Sequence, residues 1–514
     1  MQKNYYAIID VGSNTMRLVI YAQEKAGRLR EVQNVKAVAR LRNHLDQDAK
    51  LTETGQRILL DTLHSFSDVM QTYELTNFVC VATATIRQAA NQNEIKQLVQ
   101  EHLQWNMRIL SEHEEAFYGY LAVVNSTSIK EGITIDIGGG STEVTYFKDR
   151  QLIHAHSFPF GALTLRSFID EEGSMPYKIK HLRKYLFEQF KSLPWLKQKN
   201  VPLIGIGGSA RNLVQIDQNQ KAYPLAGLHQ YNMQDDDIVG ISNYLAALPS
   251  YKLQKVEGLS KDRADIILPA IEAFYCLYQT IEATSFVLSR KGLRDGVFYE
   301  LLSPNQQDPL FPNVLEDSIQ ELITDYDLNL KQILHVQYLT RKLFQCLKES
   351  GLASVNSNDW MLIKRGCYVF NLGEYIDSES SAQHTFYLLA NRTIDGLMHM
   401  DRLRLALIAS FKNKTVFKQF IKPYKEWFLK QERKKLRLLG SLLKFTYCLD
   451  ATKRQVVSDF SFEVKGDTIY LKLYCQKNWM PEAYQSEKQK KHLEKTLKKN
   501  IELEFVDHSV IRKY

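Results

Sequence analysis

Residues 132–147 read GITIDIGGGSTEVTYF: an apolar run that ends at Asp136, a glycine-rich turn, and a second strand-like run. Glycine allows positive φ angles and leaves main-chain N–H groups uncovered, and several such groups together form a concave anion site. We therefore predict a phosphate-binding loop made by Gly138, Gly139, Gly140 and Ser141. Asp136 stands at its mouth, where a carboxylate can hold Mg²⁺ against a phosphate. An ordinary glycine-rich hairpin is the alternative for one such stretch.

A second copy of this pattern lies at residues 5–21, YYAIIDVGSNTMRLVIY. An apolar strand ends at Asp10 and is followed by a turn of Gly12, Ser13, Asn14 and Thr15. The two aspartates are separated by about the length of one domain. Such repetition indicates two related lobes, each presenting a phosphate-binding hairpin to a shared cleft.

A third glycine loop, made by Gly207, Gly208 and Ser209, follows the apolar strand at 202–206. The surrounding letters also fit the dinucleotide-binding fingerprint, but no acidic residue ends a second strand about 20 positions later. We expect the loop to form part of the cleft floor, near a chain of phosphates.

Two arginines follow predicted strands: Arg87 comes after the strand at 78–82, and Arg294 after the strand at 285–289. A guanidinium at a strand end can reach into a cleft and hold phosphate with its planar fork. The alternatives are a surface helix position for Arg87 and a brace between the lobes for Arg294. The helix at 297–302 is expected to cross back to the first lobe.

Two adjacent glutamates open a predicted helix in the stretch SEHEE, residues 111–115. Ser111 and Glu114 fit the capping box, in which each side chain bonds to the main chain of the other. This gives Glu114 a structural role and leaves Glu115 available as a base for an attacking water. The alternative is that both acids only stabilise the first helical turn, where negative charge is favourable.

These motifs resemble those of the acetate and sugar kinase, Hsp70 and actin superfamily. Within it, the chain is most similar to the exopolyphosphatase / guanosine pentaphosphate phosphohydrolase family. The resemblance covers roughly the first 300 residues, in the family's order, and the later part matches long members only loosely. The stretches that carry it are DVGSNT (10–15), VATATIR (81–87), ILSEHEEA (109–116), DIGGGSTE (136–143), FGA (160–162), GIGGS (205–209) and GLRDG (292–296).

The resemblance implies an α/β fold with two actin-like (ribonuclease H-like) lobes around a cleft, then a helical HD-like domain and a small α+β C-terminal domain. We place the lobes at 1–124 and 125–302, the helical domain at 312–425 and the basic C-terminal domain at 426–514. Residues 303–312, with three prolines, form the predicted linker.

An HD-type metal site needs an adjacent His-Asp pair. In this chain Phe370 and Asn371 stand where the pair would be, while His384, His399 and Asp401 are scattered. We therefore expect a helical scaffold without a second metal site.

The resemblance also implies the chemistry, which is hydrolysis of a terminal phosphoanhydride with Mg²⁺. In the family the glutamate directly before the small residue is catalytic, and here that position is Glu115. Asp136 and Glu143 are expected to hold Mg²⁺ directly or through water, with Asp10 as a candidate third ligand. Arg87 and Arg294 would neutralise charge on the transferred phosphoryl group, while the three loops cradle the chain end.

Two substrates are known in the family: inorganic polyphosphate and the 5′-terminal phosphate of pppGpp. Chain length, the extra C-terminal domains and a basic run favour polyphosphate, and pppGpp is the alternative. The run can hold a polyanion through counterion release, or it can simply be a solvated face. Its members are Lys412, Lys414, Lys418, Lys422, Lys425, Lys430, Arg433, Lys434, Lys435, Arg437 and Lys444.

Two functions of other classes remain open at this stage. A sugar or acid kinase of the same superfamily would also carry paired phosphate hairpins, although Glu115 at a helix start argues against it. A non-catalytic polyphosphate- or nucleotide-binding regulator would require a broken set of acids. All four acids of the set are present: Asp10, Glu115, Asp136 and Glu143.

Composition sets the remaining expectations. The 514 residues are enough for three or four domains, and the net charge of +8 favours polyanionic partners, among which we expect no nucleic acid. Six separated cysteines without a CxxC pair argue against disulfides or zinc and suit a reducing cytoplasm. We see no signal peptide and no apolar run long enough to span a membrane. The resemblance implies a homodimer.

Overall fold

The computed structural model describes residues 4–23, 29–302 and 310–507. The described chain divides into two compact units. The first unit holds the residues up to 223 together with 227–315 and 395–397, and the second holds 224–226, 316–394 and the residues from 398 onward. Most of the predicted linker, residues 303–309, lies outside the described residues. The four domain boundaries stay predictions.

The first lobe of the first unit contains a five-stranded sheet with the strand order β3-β2-β1-β4-β5. Apolar side chains cover both faces of this sheet. The helix α1 packs against one of these faces through Leu59, Leu63 and Phe66. Its elements are β1 (Tyr5–Val11), β2 (Met16–Gln23), β3 (Leu29–Ala37), α1 (Glu53–Met70), β4 (Leu75–Ala82), α2 (Ala84–Gln88), α3 (Gln92–Leu103), β5 (Met107–Ile109) and α4 (Glu112–Val124).

The second lobe contains a six-stranded sheet with the order β10-β11-β9-β6-β7-β8. Its largest apolar cluster includes the interior faces of three helices, α6, α7 and α10. Its elements are β6 (Gly132–Ile137), β7 (Thr142–Lys148), β8 (Gln151–Phe158), α5 (Ala162–Asp170), α6 (Met175–Lys191), β9 (Leu203–Ile206), α7 (Gly207–Gln220), β10 (Asn232–Met233), α8 (Asp235–Ala246), α9 (Ser250–Leu253), α10 (Ile267–Ile281), β11 (Phe286–Leu288) and α11 (Leu293–Leu302).

The two sheets share one topology. In the first, β1, β2 and β3 are antiparallel neighbours, and β4 then β5 add in parallel on the other side of β1. In the second, β6, β7, β8, β9 and β11 repeat this arrangement, and only the short β10 is extra. This is the duplicated actin-like fold, so the fold class predicted from the repeated hairpins is confirmed.

The helix α11 returns to the first lobe, as the sequence predicts. Val297 and Phe298 pack in one apolar cluster with Ile8 of β1 and Val19 of β2. A Cβ atom on Gly296 would lie 2.1 Å from the main-chain oxygen of Tyr118, so only glycine permits this close approach to α4. The contact fixes the start of α11, and with it Arg294, against the first lobe.

The second unit is helical and ends in a small sheet, which confirms the predicted order of a helical region followed by an α+β part. Its three strands have the order β12-β13-β14, and β13 and β14 are parallel partners joined through α19. No described helix is both long and apolar enough to cross a membrane. The elements are α12 (Val314–Asp325), α13 (Leu330–Glu349), α14 (Ser357–Val369), α15 (Ser381–Asn391), α16 (His399–Ala409), α17 (Lys414–Ile421), α18 (Lys430–Cys448), β12 (Val457–Lys465), β13 (Thr468–Cys475), α19 (Met480–Leu497) and β14 (Asn500–Asp507).

Candidate active site

The two glycine turns have the same geometry. The N–H of Gly12 donates to the oxygen of Thr15 at 3.2 Å, and the N–H of Gly138 donates to the oxygen of Ser141 at 3.0 Å. The two tips also meet, because a Cβ atom on Gly139 would lie 3.0 Å from the Cβ atom of Ser13. The structure therefore brings both predicted loops together where the lobes face each other.

The second loop is braced from behind by the FGA stretch. The N–H groups of Ala162 and Leu163 donate to the oxygens of Gly138 and Gly139 at 2.9 and 3.1 Å. A Cβ atom on Gly161 would lie 2.6 Å from the Gly138 oxygen, so a larger residue would push the loop away. Because its carbonyl groups are engaged on this side, the loop is held in one conformation.

Buried polar atoms without a partner lie in the first loop and on α2, the helix that follows β4. Asn14 is 5% exposed, yet within the described part of the chain neither its Oδ1 nor its Nδ2 has a hydrogen-bond partner. The hydroxyl of Thr85, 1% exposed, also has none there. Buried polar groups are almost always hydrogen-bonded. These groups are therefore candidates for binding the oxygens of a ligand.

The third glycine loop begins the helix α7 directly beside Asp136. Gly207 has a φ of +83°, and a Cβ atom there would lie 2.3 Å from Asp136 Oδ1. Ser209, 1% exposed, accepts a hydrogen bond from Arg263 Nη1 at 3.2 Å. The helix N-terminus thus lies next to a carboxylate and an arginine, and the predicted position of this loop near the other two agrees with the geometry.

Arg87 and Glu115 form an ion pair at 2.8 Å between Nη1 and Oε2. The same Nη1 donates to the main-chain oxygen of Leu110 at 2.8 Å. The Nε and Nη2 atoms of Arg87 are buried and have no partner among the described residues. One nitrogen of Arg87 therefore positions Glu115, while the other two are available to a phosphoryl group.

Glu114 has the structural role that the sequence predicts. Its Oε2 accepts from the N–H of Ser111 at 2.8 Å, and its own N–H donates to the Ser111 hydroxyl at 3.2 Å. It also forms an ion pair with Arg108. The capping box is thus confirmed. Glu114 caps the helix, whereas Glu115 pairs with Arg87 in the cleft.

Burial raises the pKa values of the carboxylic acids in the cleft. It raises the pKa of Glu115 to about 7; the Arg87 charge and hydrogen bond oppose this shift, and the charges of Asp136 and Asp10 add to it. Burial likewise raises the pKa of Asp136 to about 6, with Arg263 opposing it. The pKa of Glu143 is raised by burial and by Glu115, although the hydroxyls of Ser141 and Ser157 lower it. Such shifts are typical of catalytic sites.

Two of the predicted metal ligands, Asp10 and Asp136, lie at matching positions of the two hairpins. Asp136 and Glu143 are directly opposite each other on β6 and β7, so their side chains share a face of the sheet. Burial raises the pKa of Asp10, while Arg294 and Arg17 lower it. Clustered, buried carboxylates are offset by a hard cation, and Mg²⁺ commonly takes one or two carboxylates and completes its shell with water.

A complete set of three direct ligands is not assembled. Among the described residues, no group of three His, Cys, Asp or Glu side chains converges closely enough to hold a metal ion. The oxygen donors present nevertheless fit a partly hydrated Mg²⁺. The assignment of Asp136, Glu143 and Asp10 to a metal stays a prediction.

Arginines that the sequence analysis did not single out also lie in the cleft. They lie near the predicted Arg294, which approaches Asp10 with 4.0 Å between Nε and Oδ2. Burial lowers the pKa of Arg211 to about 10, and the charges of Arg17, Arg294 and Arg263, among others, lower it further. Arg17 follows the first loop and Arg211 follows the third. This proximity to the loops is the signal by which they could have been found.

In the second unit, the residues that replace an HD-type site have other partners. Asn371 follows α14 and donates to Glu374 at 2.9 Å. Asp401 pairs with Arg404 at 2.7 Å on α16, and His384 lies on α15. His399 begins α16. The expected absence of a second metal site stays a prediction.

The basic run divides into two groups. Arg433, Lys435, Arg437 and Lys444 are half-buried, and Lys435 is paired with Asp359 at 2.9 Å. The others are exposed. Only part of the run therefore forms the solvated basic face, made by Lys412, Lys414, Lys418, Lys422, Lys425, Lys430 and Lys434.

The cleft joins two glycine loops, buried acids and an Arg–Glu pair, and comparison with known families identifies the class of protein as a hydrolase of phosphoanhydrides. Residues 19–305 match the Ppx/GppA phosphatase family, and residues 314–499 match domain III of the same phosphatases. The chain belongs to the Ppx/GppA phosphatase family. This membership favours a hydrolase over the kinase and the non-catalytic regulator.

The individual relatives have low sequence identity to this chain but match it over long stretches. A guanosine-5′-triphosphate,3′-diphosphate pyrophosphatase of Aeromonas hydrophila is 25% identical over 490 residues, covering 93% of this chain and 94% of the relative. The Ppx/GppA family member of Aquifex aeolicus is 24% identical with a TM-score of 0.53, covering 60% of this chain and 100% of that chain. An exopolyphosphatase from Cytophaga hutchinsonii is 20% identical with a TM-score of 0.54, and the match covers 59% of this chain and 99% of that chain. The two structures support the fold.

Proposed function

We propose that the protein is an exopolyphosphatase, which hydrolyses the terminal phosphoanhydride of inorganic polyphosphate and releases orthophosphate. The observation that carries this proposal is the Arg87–Glu115 pair at 2.8 Å, whose acid is electrostatically coupled to Asp136 and Asp10 at the two loops. A base with a pKa of about 7 is suited to taking a proton from water near neutral pH.

In the proposed reaction, the terminal phosphate lies between the two hairpin loops. Arg87 binds its oxygens through Nε and Nη2, and Arg294 adds positive charge. Glu115 accepts a proton from a water whose oxygen attacks the terminal phosphorus, while the bond from that phosphorus to the bridging oxygen breaks. The products are orthophosphate and a chain shorter by one phosphate, and the proton on Glu115 passes to solvent.

Mg²⁺ would be held by Asp136 and Glu143, with Asp10 as a further ligand. When bound, it would neutralise negative charge on the phosphate oxygens and on the leaving chain. Its carboxylate donors are hard oxygen ligands, which suits Mg²⁺ better than a soft metal.

The solvated basic face of the second unit supports a long polyanionic substrate. Seven exposed lysines on one run would release counterions from a polyphosphate chain, as basic proteins do on nucleic acids. We therefore expect Lys418→Gln combined with Lys422→Gln to raise KM for long chains but not for tripolyphosphate. Lys348→Gln, an exposed lysine on α13 outside the run, is the matched control.

Removal of the 5′-terminal phosphate of pppGpp is the second candidate. It is favoured by the printed name of the Aeromonas hydrophila relative, which matches nearly the whole chain. The arginines near Asp10 and Asp136 would serve either substrate, because both end in a phosphoanhydride.

The test is orthophosphate release by the purified full-length protein with Mg²⁺, measured separately on long-chain polyphosphate and on pppGpp. We expect a higher kcat/KM for polyphosphate, with orthophosphate as the product. A clear preference for pppGpp would contradict the substrate assignment and leave the chemistry of the cleft intact. A homodimer remains an expectation of the family resemblance, and a cytoplasmic location remains an expectation from the separated cysteines.

A further inference from the structure

The second unit contains a solvent-open cavity of about 620 Å³ that is lined only by residues of that unit. It lies among the start of α13, the turn after α14, the start of α15, and facing sides of α18 and α19. Asn371, at the position of the lost His-Asp pair, is part of its wall. Small-molecule sites commonly have volumes of about 300–1,000 Å³. The cavity is therefore large enough for a ligand of nucleotide size.

A lysine without an acidic partner lies inside this cavity. Lys444 is half-buried, and its Nζ donates to the main-chain oxygen of Lys412 at 2.5 Å. Within the described part of the chain, no carboxylate is paired with Lys444. Burial lowers its pKa to about 8, and the charges of Lys412 and Lys491 lower it further. A buried charge is normally paired, so this position favours an anion from outside the chain.

The acids that line the cavity do not provide this partner. Asp327, Glu374 and Glu379 are all exposed, and Glu374 already accepts a hydrogen bond from Asn371. Negative charge therefore lies on the exposed part of the lining, whereas Lys444 lies deeper. An anionic group bound at Lys444 would replace the solvent around this side chain. It would also be attracted by the neighbouring ammonium groups of Lys412 and Lys491.

Aromatic rings form another part of the wall. Phe370 and Tyr447 are stacked, with ring centroids 4.4 Å apart and planes inclined by 29°. The Tyr447 hydroxyl donates to the main-chain oxygen of Cys367 at 2.6 Å, which fixes the ring. Tyr326 and Tyr375 also line the cavity, edge to face at 5.2 Å. Planar apolar surfaces of this kind bind planar ligand rings by stacking.

Amide side chains complete the lining. Gln485 and Gln489 lie one helical turn apart on α19, so they share a face, and both are half-buried. Each amide offers a donor and an acceptor. Such groups can bond to the hydroxyls of a sugar or to the edge of a heterocyclic ring.

We propose that this cavity binds a nucleotide, with its phosphate on Lys444 and Lys412 and its base against Phe370 and Tyr447. Inorganic phosphate alone would make no contact with the aromatic wall, and a nucleoside alone would leave Lys444 without a counter-charge. The site lies wholly in the second unit and does not depend on the proposed hydrolysis in the first.

The test uses the full-length protein and fluorescent derivatives of ATP and GTP without added Mg²⁺, in the presence of excess tripolyphosphate to occupy the cleft. We expect saturable binding of at least one nucleotide. Lys444→Gln should weaken it roughly tenfold or more, because a charge-assisted hydrogen bond is lost. Lys348→Gln, an exposed lysine on α13 that does not line the cavity, should leave it unchanged. Absence of saturable binding up to millimolar nucleotide, or equal weakening by both variants, would overturn the proposal.

A second measurement needs no variant. The wild-type protein is photolabelled with 8-azido-ATP under the same conditions, and the labelled peptides are identified by mass spectrometry. Labelling of peptides that contain Phe370 or Tyr447, prevented by ATP but not by adenosine or inorganic phosphate, supports the site. Labelling confined to residues 4–302, or complete protection by inorganic phosphate, would contradict it. Phosphate release is assayed separately, so failure of the hydrolase proposal is recognised independently.

Discussion

Arg87 and Glu115 are joined by one ion pair of 2.8 Å, which uses a single nitrogen of the guanidinium. The Leu110 oxygen fixes that same nitrogen from the other side. The other two nitrogens of Arg87 have no partner among the described residues and are available to a ligand, while the acid is held in place. This relationship links substrate binding to the orientation of the proposed base.

Arg87→Lys is the first prediction. A lysine ammonium keeps the charge but cannot hold Leu110, Glu115 and a phosphoryl group at once, since it lacks the planar fork. We expect kcat to fall roughly 10²-fold, the usual cost of losing a group that stabilises charge in the transition state. Steady-state phosphate release measures this. Arg57→Lys, an exposed arginine on α1, is the control; equal losses in both variants would refute the assignment.

The pH dependence of the reaction follows from Glu115. Burial raises its pKa from 4.5 to about 7, so the acid becomes protonated, and inactive as a base, as the pH falls through about 7. We therefore expect log kcat/KM to decline below that pH and to level off above it. A pH–rate profile at fixed Mg²⁺ tests this. A profile that stays flat down to pH 5 would contradict a base with a raised pKa.

Asp136 should control the requirement for Mg²⁺. Its carboxylate lies opposite Glu143 and at the start of the glycine loop. Asp136→Asn removes a charged oxygen ligand, and we expect the Mg²⁺ concentration for half-maximal activity to rise about tenfold or more. Asp149→Asn, in the turn after β7, serves as the control. An unchanged Mg²⁺ requirement in Asp136→Asn would remove Asp136 from the metal site.

Gly207 should tolerate no side chain. Its φ of +83° is strained for an L-residue with a side chain. A Cβ atom at this position would lie only 2.3 Å from Asp136 Oδ1 and would push the carboxylate away. We expect Gly207→Ala to reduce phosphate release strongly and to lower the unfolding temperature. Gly240 on α8 has open space around its Cβ position, so Gly240→Ala should stabilise the protein by about 0.5–1 kcal/mol. Thermal unfolding compares the two, and a harmless Gly207→Ala would contradict the geometry.

Local patterns predicted much of this site. The two hairpins and the capping box of Ser111 and Glu114 depend on residues close in sequence, so periodicity and spacing were sufficient for them. The role predicted for Glu115 came mainly from the family resemblance. Local patterns determine element boundaries less well, and the helix α10 begins at Ile267 and ends at Ile281. A short 3₁₀ turn, Lys261–Arg263, precedes it and was not recognised.

Contacts between distant segments could not be predicted in the same way. Arg263 reaches Ser209 from more than fifty positions away, with 3.2 Å between Nη1 and Oγ. The basic run was treated as one surface, yet Lys435 pairs with Asp359 on α14, and Lys444 lines a cavity. A long flexible side chain takes its partner from tertiary packing, which residue type alone does not specify.

The most direct test of the central claim is phosphate release by Glu115→Gln and Glu114→Gln, measured side by side with Mg²⁺ on the better of the two substrates. Glutamine preserves size and hydrogen bonding and can still complete the capping box at position 114. We predict a loss of roughly 10²–10³-fold in kcat for Glu115→Gln, as expected for a lost base, and nearly wild-type activity for Glu114→Gln. Retained activity in Glu115→Gln, or a loss confined to Glu114→Gln, would contradict the assignment of Glu115 as the base.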